Sequence, residues 1–217
     1  GEAQGQTKKP PLSQVEKLIA SRRSIFPKDY NGKVVPRDII TKMLEAANWA
    51  PTHGKTEPWR FVVMSGEEVK KFTAMKNEEN MKFLTEGTEE WEYAMKKIAR
   101  KQKELENVSH LIAICLKRVV GKKGKLMPEW EDISSVACAV QNMHLVATAA
   151  GVGGYWSSGG WNKALASERI KSFLGMTEEG DRCLGLFHVG MSDKIARYRR
   201  KPGSWEDKVV WVEASDI

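Results

Sequence analysis

The stretch from Glu129 to Ala150 constrains the fold of this chain more than any other. It is the longest strongly apolar pattern of helical period in the sequence. Ser135, Ala137, Ala139, Ala147 and Ala150 stud it with small side chains, which let another backbone approach closely. Such a helix belongs at a centre or an interface. Gly151 supplies the residue type that ends a helix in a left-handed turn.

The remaining elements arrange themselves around that helix. Ser13-Gln14-Val15-Glu16 has the form of a capping box, predicting a helix to about Arg22. Pro36 opens a second helix, whose inner stripe is Ile39, Ile40, Met43, Leu44 and Ala47 and which Pro51 stops. Trp59 to Met64 reads as a strand between Pro58 and Gly66. Glu67–Lys76 and Thr88–Glu106 read as helices, the second so charged that it is either a mobile lid or plain surface. Val108–Val119 is a buried strand and Gly121–Lys125 a basic loop. After the long helix come a glycine-rich turn, a short helix over Ala166–Leu174 and a strand over Cys183–Val189. A basic cluster, Arg197–Lys201, and a β-like tail, Lys208–Glu213, close the chain. Helices and strands alternate without internal repeats. The expectation is a disordered segment over residues 1–11 and one α+β domain over 12–217, with a central antiparallel or mixed sheet flanked by helices.

Composition narrows the function. The longest unbroken apolar run, Leu111 to Leu116, falls far short of the roughly 20 residues that span a bilayer. The formal charge is +7, but the Lys and Arg residues are scattered and no nucleic-acid motif accompanies them. The charge suits a solvated surface or an anionic ligand such as a phosphate-bearing cofactor. Cys115, Cys138 and Cys183 are widely spaced in apolar surroundings and read as buried free thiols, which points to a reducing, cytoplasmic compartment. His53, His110, His144 and His188 lack metal-ligand spacing, so no metal is expected. The opening lacks an initiator Met, which leaves a lost leader open.

Three segments carry chemistry. Arg22, Arg23 and Ser24 combine two guanidinium forks with a hydroxyl, a set that can grip a phosphate or the polar edge of a heterocycle. The same residues also suit the end of a helix, where cations are favoured. Ala50 to Trp59 is a polar loop between a helix and a strand, either a platform for binding groups such as His53 or an ordinary connection. Gly151 to Gly160 exposes backbone N–H groups. No strand precedes it and it follows a helix, so it is no dinucleotide-binding fingerprint; a flexible loop is the other reading.

Taken in order, Arg22-Arg23-Ser24, a helix ending Ala50-Pro51, the run Pro58-Trp59-Arg60-Phe61-Val62-Val63, the long Ala-rich helix and Gly153-Gly154-Tyr155-Trp156-Ser157-Ser158 resemble the FMN-dependent nitroreductase family. Arg200-Lys201-Pro202 and Val209-Val210-Trp211 resemble its ending, so the likeness runs from about Leu12 to Trp211. His53 and Trp156 place it near a compact branch of NAD(P)H nitroreductases. The resemblance implies an intertwined homodimer with FMN at the interface and NADH or NADPH as electron donor. It implies that the flavin itself carries the chemistry, reducing a small planar acceptor such as a nitroaromatic or quinone. A specialised flavin reaction such as reductive dehalogenation, and a non-catalytic flavin-binding role, are the alternatives.

By the same resemblance, Arg22, Arg23 and Ser24 meet the FMN phosphate and the polar edge of the ring. Trp49 and His53 reach the flavin from the partner chain. Trp156, Ser157 and Ser158 pass beside the ring, and Arg200 reaches the phosphate. Two places depart from the family pattern. Lys55 and Glu57 stand where Asn and Gln are common, and Lys55 either sets a cation beside the ring or turns to solvent. Ser157 stands where the compact branch often has Arg.

Overall fold

The computed structural model describes residues 9–159 and 162–212. Four strands make one antiparallel sheet: β1 (Trp59–Ser65), β2 (His110–Leu116), β3 (Gly153–Ser157) and β4 (Arg182–Gly190), in the order β1-β2-β4-β3. The sheet is thus antiparallel rather than mixed. β2 is buried at every position because both faces are covered. Its Ile112, Ile114 and Leu116 alternate with Leu111, Ala113 and Cys115, and the two sets enter separate cores.

One face packs against α2 (Arg37–Ala47) and α5 (Glu129–Ala149). Val136, Val140 and Met143 of α5 and Ile40 and Met43 of α2 meet Phe187 and Val189 of β4 there. The other face carries α3 (Glu67–Met81), α6 (Asn162–Leu165) and α7 (Glu168–Phe173), with α4 (Glu89–Leu105) beyond α3. The Thr88 hydroxyl caps α4 by accepting from the Trp91 N–H. Gly151, at φ 70°, ends α5, and the Val152 N–H returns to the Ala147 carbonyl at 2.8 Å. No helix among the described residues is long and apolar enough to cross a membrane.

Several sequence expectations need correction. α1 (Leu12–Ser21) begins one residue before Ser13, behind Pro11, and no side chain caps it, so the capping box does not form. The glycine-rich segment after α5 is β3 and not a turn. Tertiary packing decides this: a Cβ on Gly154 would lie 2.7 Å from Phe187 Cζ and 3.0 Å from the His144 ring. Glycine is there so that the strand can lie against α5. The short helix over Ala166–Leu174 is instead the pair α6 and α7. The tail makes a 3-10 turn at Glu206–Lys208, and among the described residues Val209 to Val212 pair with no strand of this chain; Glu213 lies outside the described residues. Cys115 is buried, Cys183 half-buried and Cys138 exposed, because Cys138 faces outward on α5. Residues 1–8 of the expected disordered segment lie outside the described residues; Lys9, Pro10 and Pro11 are exposed and lead into α1.

Candidate functional site

The chain leaves α1 at Arg22 and crosses the outer edge of the sheet. Ser24 bridges Gly154 in parallel, and the Ile25 N–H donates to the Gly154 carbonyl at 2.9 Å. The crossing divides the segment between two faces. On the α5 face, a guanidinium N–H of Arg22 lies 3.3 Å from His144 Nδ1, and His144 Nε2 lies 3.0 Å from the Arg23 carbonyl. A carbonyl only accepts, so Nε2 carries the proton and Nδ1 accepts from Arg22. The imidazole is neutral: burial first, and then Arg22, push its pKa down to about 4. Its ring meets Phe187 edge-on at 5.0 Å. His144 therefore fixes both the Arg22 side chain and the Arg23 backbone.

Arg200 lies close enough to Arg22 to disfavour its charge, and the chain just before it is anchored. The Tyr198 hydroxyl donates to Asp29 at 2.6 Å and accepts from the Phe26 N–H at 3.2 Å, while Lys194 pairs with Asp29 at 2.8 Å. Those contacts hold Asp29 below the usual carboxylate range. Burial, followed by the nearby Arg200 and Arg23, disfavours the charged form of Arg22. Arg23 donates to the carbonyls of Ala20 and Arg22, yet its buried Nε has no partner among the described residues. Guanidinium groups near enough to disfavour one another's charge could be relieved by an anion, and their forks match the geometry of a phosphate.

On the opposite face, Phe26, Pro27 and Lys28 wall a cavity of about 290 Å³ together with Tyr155 and Ser157 of β3, Lys76 of α3 and Lys101 of α4. The Phe26 and Tyr155 rings lie 4.7 Å apart, and Tyr155 lies 5.8 Å from His188. His188 is buried and its pKa is pushed down to about 4, chiefly by burial. The cavity thus has aromatic walls, a neutral imidazole and lysine amines. α4, whose charge suggested either a lid or plain surface, supplies one of its walls through Lys101, Glu104 and Leu105.

The candidate residues from the sequence fall into three places. Arg22, Arg23, Ser24 and Arg200 gather at the sheet edge, and Ser157 lines the cavity around the corner, its Oγ accepting from the Gly159 N–H at 3.1 Å. Trp156 points to the opposite face and packs against the α5 core. Ser158 opens onto a separate cavity beside Asp181 and Cys183. Trp49, His53 and Lys55 stand elsewhere. Trp49 is 87% exposed, Lys55 is exposed in a 3-10 turn at φ 54°, and His53 Nδ1 lies 2.5 Å from Glu131. Within this chain Lys55 therefore turns to solvent. Glu131 is in the first turn of α5 and His144 near its last, about 20 Å apart at the rise of an α-helix. The fold of one chain does not bring these two groups together.

Sequence reasoning passed over His144, Lys76, Lys101, Tyr155 and His188. A histidine among Val140, Met143 and Ala147 on an apolar helix was a usable signal for His144. Lys76 and Lys101 are hidden by the many other lysines of α3 and α4.

A family model described as Nitroreductase family matches residues 19–191. The chain is 26% identical over 194 residues to a Bacillus subtilis protein named "Putative NAD(P)H nitroreductase YfhC", covering 87% of this chain and 90% of that one. Over 141 residues it is 30% identical to iodotyrosine deiodinase 1 of Sus scrofa, covering 59% of this chain and 48% of that one, about half of its length. Among solved structures, the nitroreductase-like family protein from Bacillus cereus superimposes with a TM-score of 0.72 at 24% identity, over 97% of this chain and 100% of that one. The FMN-dependent nitroreductase NfnB from Mycobacterium smegmatis, solved in complex with NADPH, does so with a TM-score of 0.69 at 15% identity, over 94% and 100%. At these identities the two structures establish the fold.

Proposed function

This chain belongs to the nitroreductase family, and on that premise we propose that it is an FMN-dependent oxidoreductase carrying electrons from NADH or NADPH to a small planar acceptor such as a nitroaromatic or quinone. One observation carries the reading. At the edge strand the chain sets Arg22, Arg23 and Arg200 toward the α5 face and opens an aromatic-walled cavity beside Ser157 on the opposite face. That arrangement suits a ligand with an anionic tail and a flat head. The neighbouring guanidinium groups and Arg23 Nε, without a partner among the described residues, fit a phosphate. Phe26 and Tyr155 fit a ring.

Bound there, FMN would supply a ring able to take hydride from a nicotinamide and give it to an acceptor. The chain's own work is binding and positioning. Arg22, oriented by His144, and Arg200 would hold the phosphate; Ser157 and the β3 backbone would lie beside the ring; Phe26 and Tyr155 would keep water from one side. No side-chain nucleophile is required.

The reading includes a homodimer. α1 buries none of its residues although Leu12, Val15 and Ile19 lie along it, and Trp49, Trp130, Val210 and Trp211 are all well exposed. Apolar surface of this extent marks an interaction site. A second copy would cover it and bring Trp49 and His53 of the partner subunit to the flavin.

The test is spectroscopic. The purified chain is expected to be yellow, or to take up FMN, and to bleach under NADH or NADPH without oxygen. A colourless protein that rejects FMN would contradict the proposal. The partial likeness to iodotyrosine deiodinase 1 supports a second reading, reductive dehalogenation. An anaerobic acceptor panel containing halogenated phenols, nitroaromatics and quinones separates the two.

A further inference from the structure

We propose that Lys76 and Lys101 form an anion site inside the cavity, one that takes a flat aromatic ring whose negative charge is spread over its rim. This rests on the functional reading above and names the kind of ring the cavity prefers. The two amines come from different helices, α3 and α4, and both line the same cavity. Lys76 donates to the Gly159 carbonyl at 3.1 Å, and among the described residues neither lysine is within ion-pair distance of a carboxylate. An ammonium group has three donors, so one bond to a carbonyl leaves Lys76 able to grip a ligand.

The other charged groups around the cavity do not neutralise the pair. Lys28 adds a third positive charge. Glu104, the one acid among the lining residues, lies 3.8 Å from Arg100, and its pull on Lys101 is outweighed by the push of Lys97. Lys97 disfavours the charged form of Lys76 as well, and His188 is neutral. Burial is the larger cause for each lysine and brings Lys76 down to about 8. The folded chain thus holds a repulsion that a bound anion would relieve.

The walls choose among anions. Phe26, Leu111, Tyr155 and Leu186 make the cavity apolar and aromatic. Such walls penalise a compact, strongly hydrated ion and tolerate a ring with delocalised charge. Phosphate is better served by the arginines on the other face. Two sources share the favoured chemistry: the reduced, deprotonated flavin ring, and an acceptor that is itself an anion, such as a nitrophenolate.

The experiment compares the FMN-loaded protein with its Lys76→Met and Lys101→Met variants, which keep most of the stem and remove the charge. In one arm, 4-nitrophenolate and 4-nitroanisole are titrated against the oxidised protein, followed by flavin fluorescence. In the other, the fully reduced protein is titrated with acid and the ring's protonation is followed by absorbance. An acceptor site predicts that the wild type binds the phenolate about tenfold or more tightly than the ether, and that either variant removes most of that preference. A ring site predicts that protonation of the reduced ring moves up by about one pH unit in each variant. Lys76→Arg and Lys101→Arg, which keep the charge, should restore the wild-type behaviour.

A shift in either arm supports the proposal and identifies the source. Folded, flavin-loaded methionine variants that match the wild type in both arms overturn it. Should Lys76→Met not fold, Lys101→Met decides. Should the chain take up no flavin, the functional reading fails on its own, and the phenolate titration followed by tryptophan fluorescence still judges the anion site.

Discussion

At the C-terminal end of α5, His144 is enclosed, neutral and hydrogen-bonded on both ring nitrogens, to Arg22 and to the Arg23 carbonyl. At the N-terminal end, His53 makes its contact with Glu131 in the open, beside Trp130, itself 68% exposed. One end is completed by the chain itself, with β3, α5 and the Arg22 segment packed so closely that Gly154 has no room for a Cβ. The other presents a histidine, a carboxylate and a tryptophan to whatever lies outside. A candidate site can thus be half interior and half surface. The interior half answers to stability measurements, and the surface half should answer only to binding.

The largest expected effect bearing on this contrast is on pH-dependent stability. His144 and His188 have folded pKa values near 4 against an ordinary 6.5. Both are neutral in folded and unfolded chains above 6.5. Between about 6.5 and 4 the unfolded chain binds the protons, so stability falls as pH falls, by up to about 1.4 kcal/mol per pH unit for each histidine. Urea midpoints at pH 7, 6 and 5 should drop steeply, and His144→Phe should flatten the slope by its share. A flat profile would show that these imidazoles are not held neutral by folding.

Next comes the close packing of β3. Gly154→Val drives side-chain atoms into Phe187 and His144 and should destabilise the fold by about 1–3 kcal/mol. An unchanged midpoint would break the claim that this end is built to fit. Arg22→Ala should loosen FMN by about ten- to a hundredfold, the worth of a charge-assisted hydrogen bond, while shifting the melting temperature by only a few degrees. Equal flavin retention in mutant and wild type, by equilibrium dialysis, would remove Arg22 from the site. The smallest effect belongs to the exposed end. His53→Ala should change stability by less than about 1 kcal/mol yet still weaken flavin binding if the proposed dimer forms. A large loss of stability with flavin binding unaltered would reverse the assignment of the two ends.

Much of the framework is readable without coordinates. The unbroken apolar run of β2, the stripe of α2 behind Pro36 and the long α5 all declare themselves through period and punctuation, which are local properties. The Arg22-Arg23-Ser24 segment stands out by residue type. What stays hidden depends on contacts between distant parts of the chain. Gly153 and Gly154 look like a loop because their reason for being glycine lies in Tyr30, His144 and Phe187. Ser13 looks like a cap by residue type, but Pro11 stands before α1 as Pro36 stands before α2, and the helix starts behind the proline. Lys76 and Lys101 belong to helices rich in charge, and only the cavity singles them out.

A crystal structure of the chain grown with FMN would decide whether one ligand joins the arginines to the cavity. The ring is expected on the Ser157 side of β3 and the phosphate among Arg22, Arg23 and Arg200, with a second copy closing over the ring through Trp49 and His53 of the partner subunit. A single subunit with those regions left apart, or FMN bound away from Ser157 and the arginines, would contradict that arrangement.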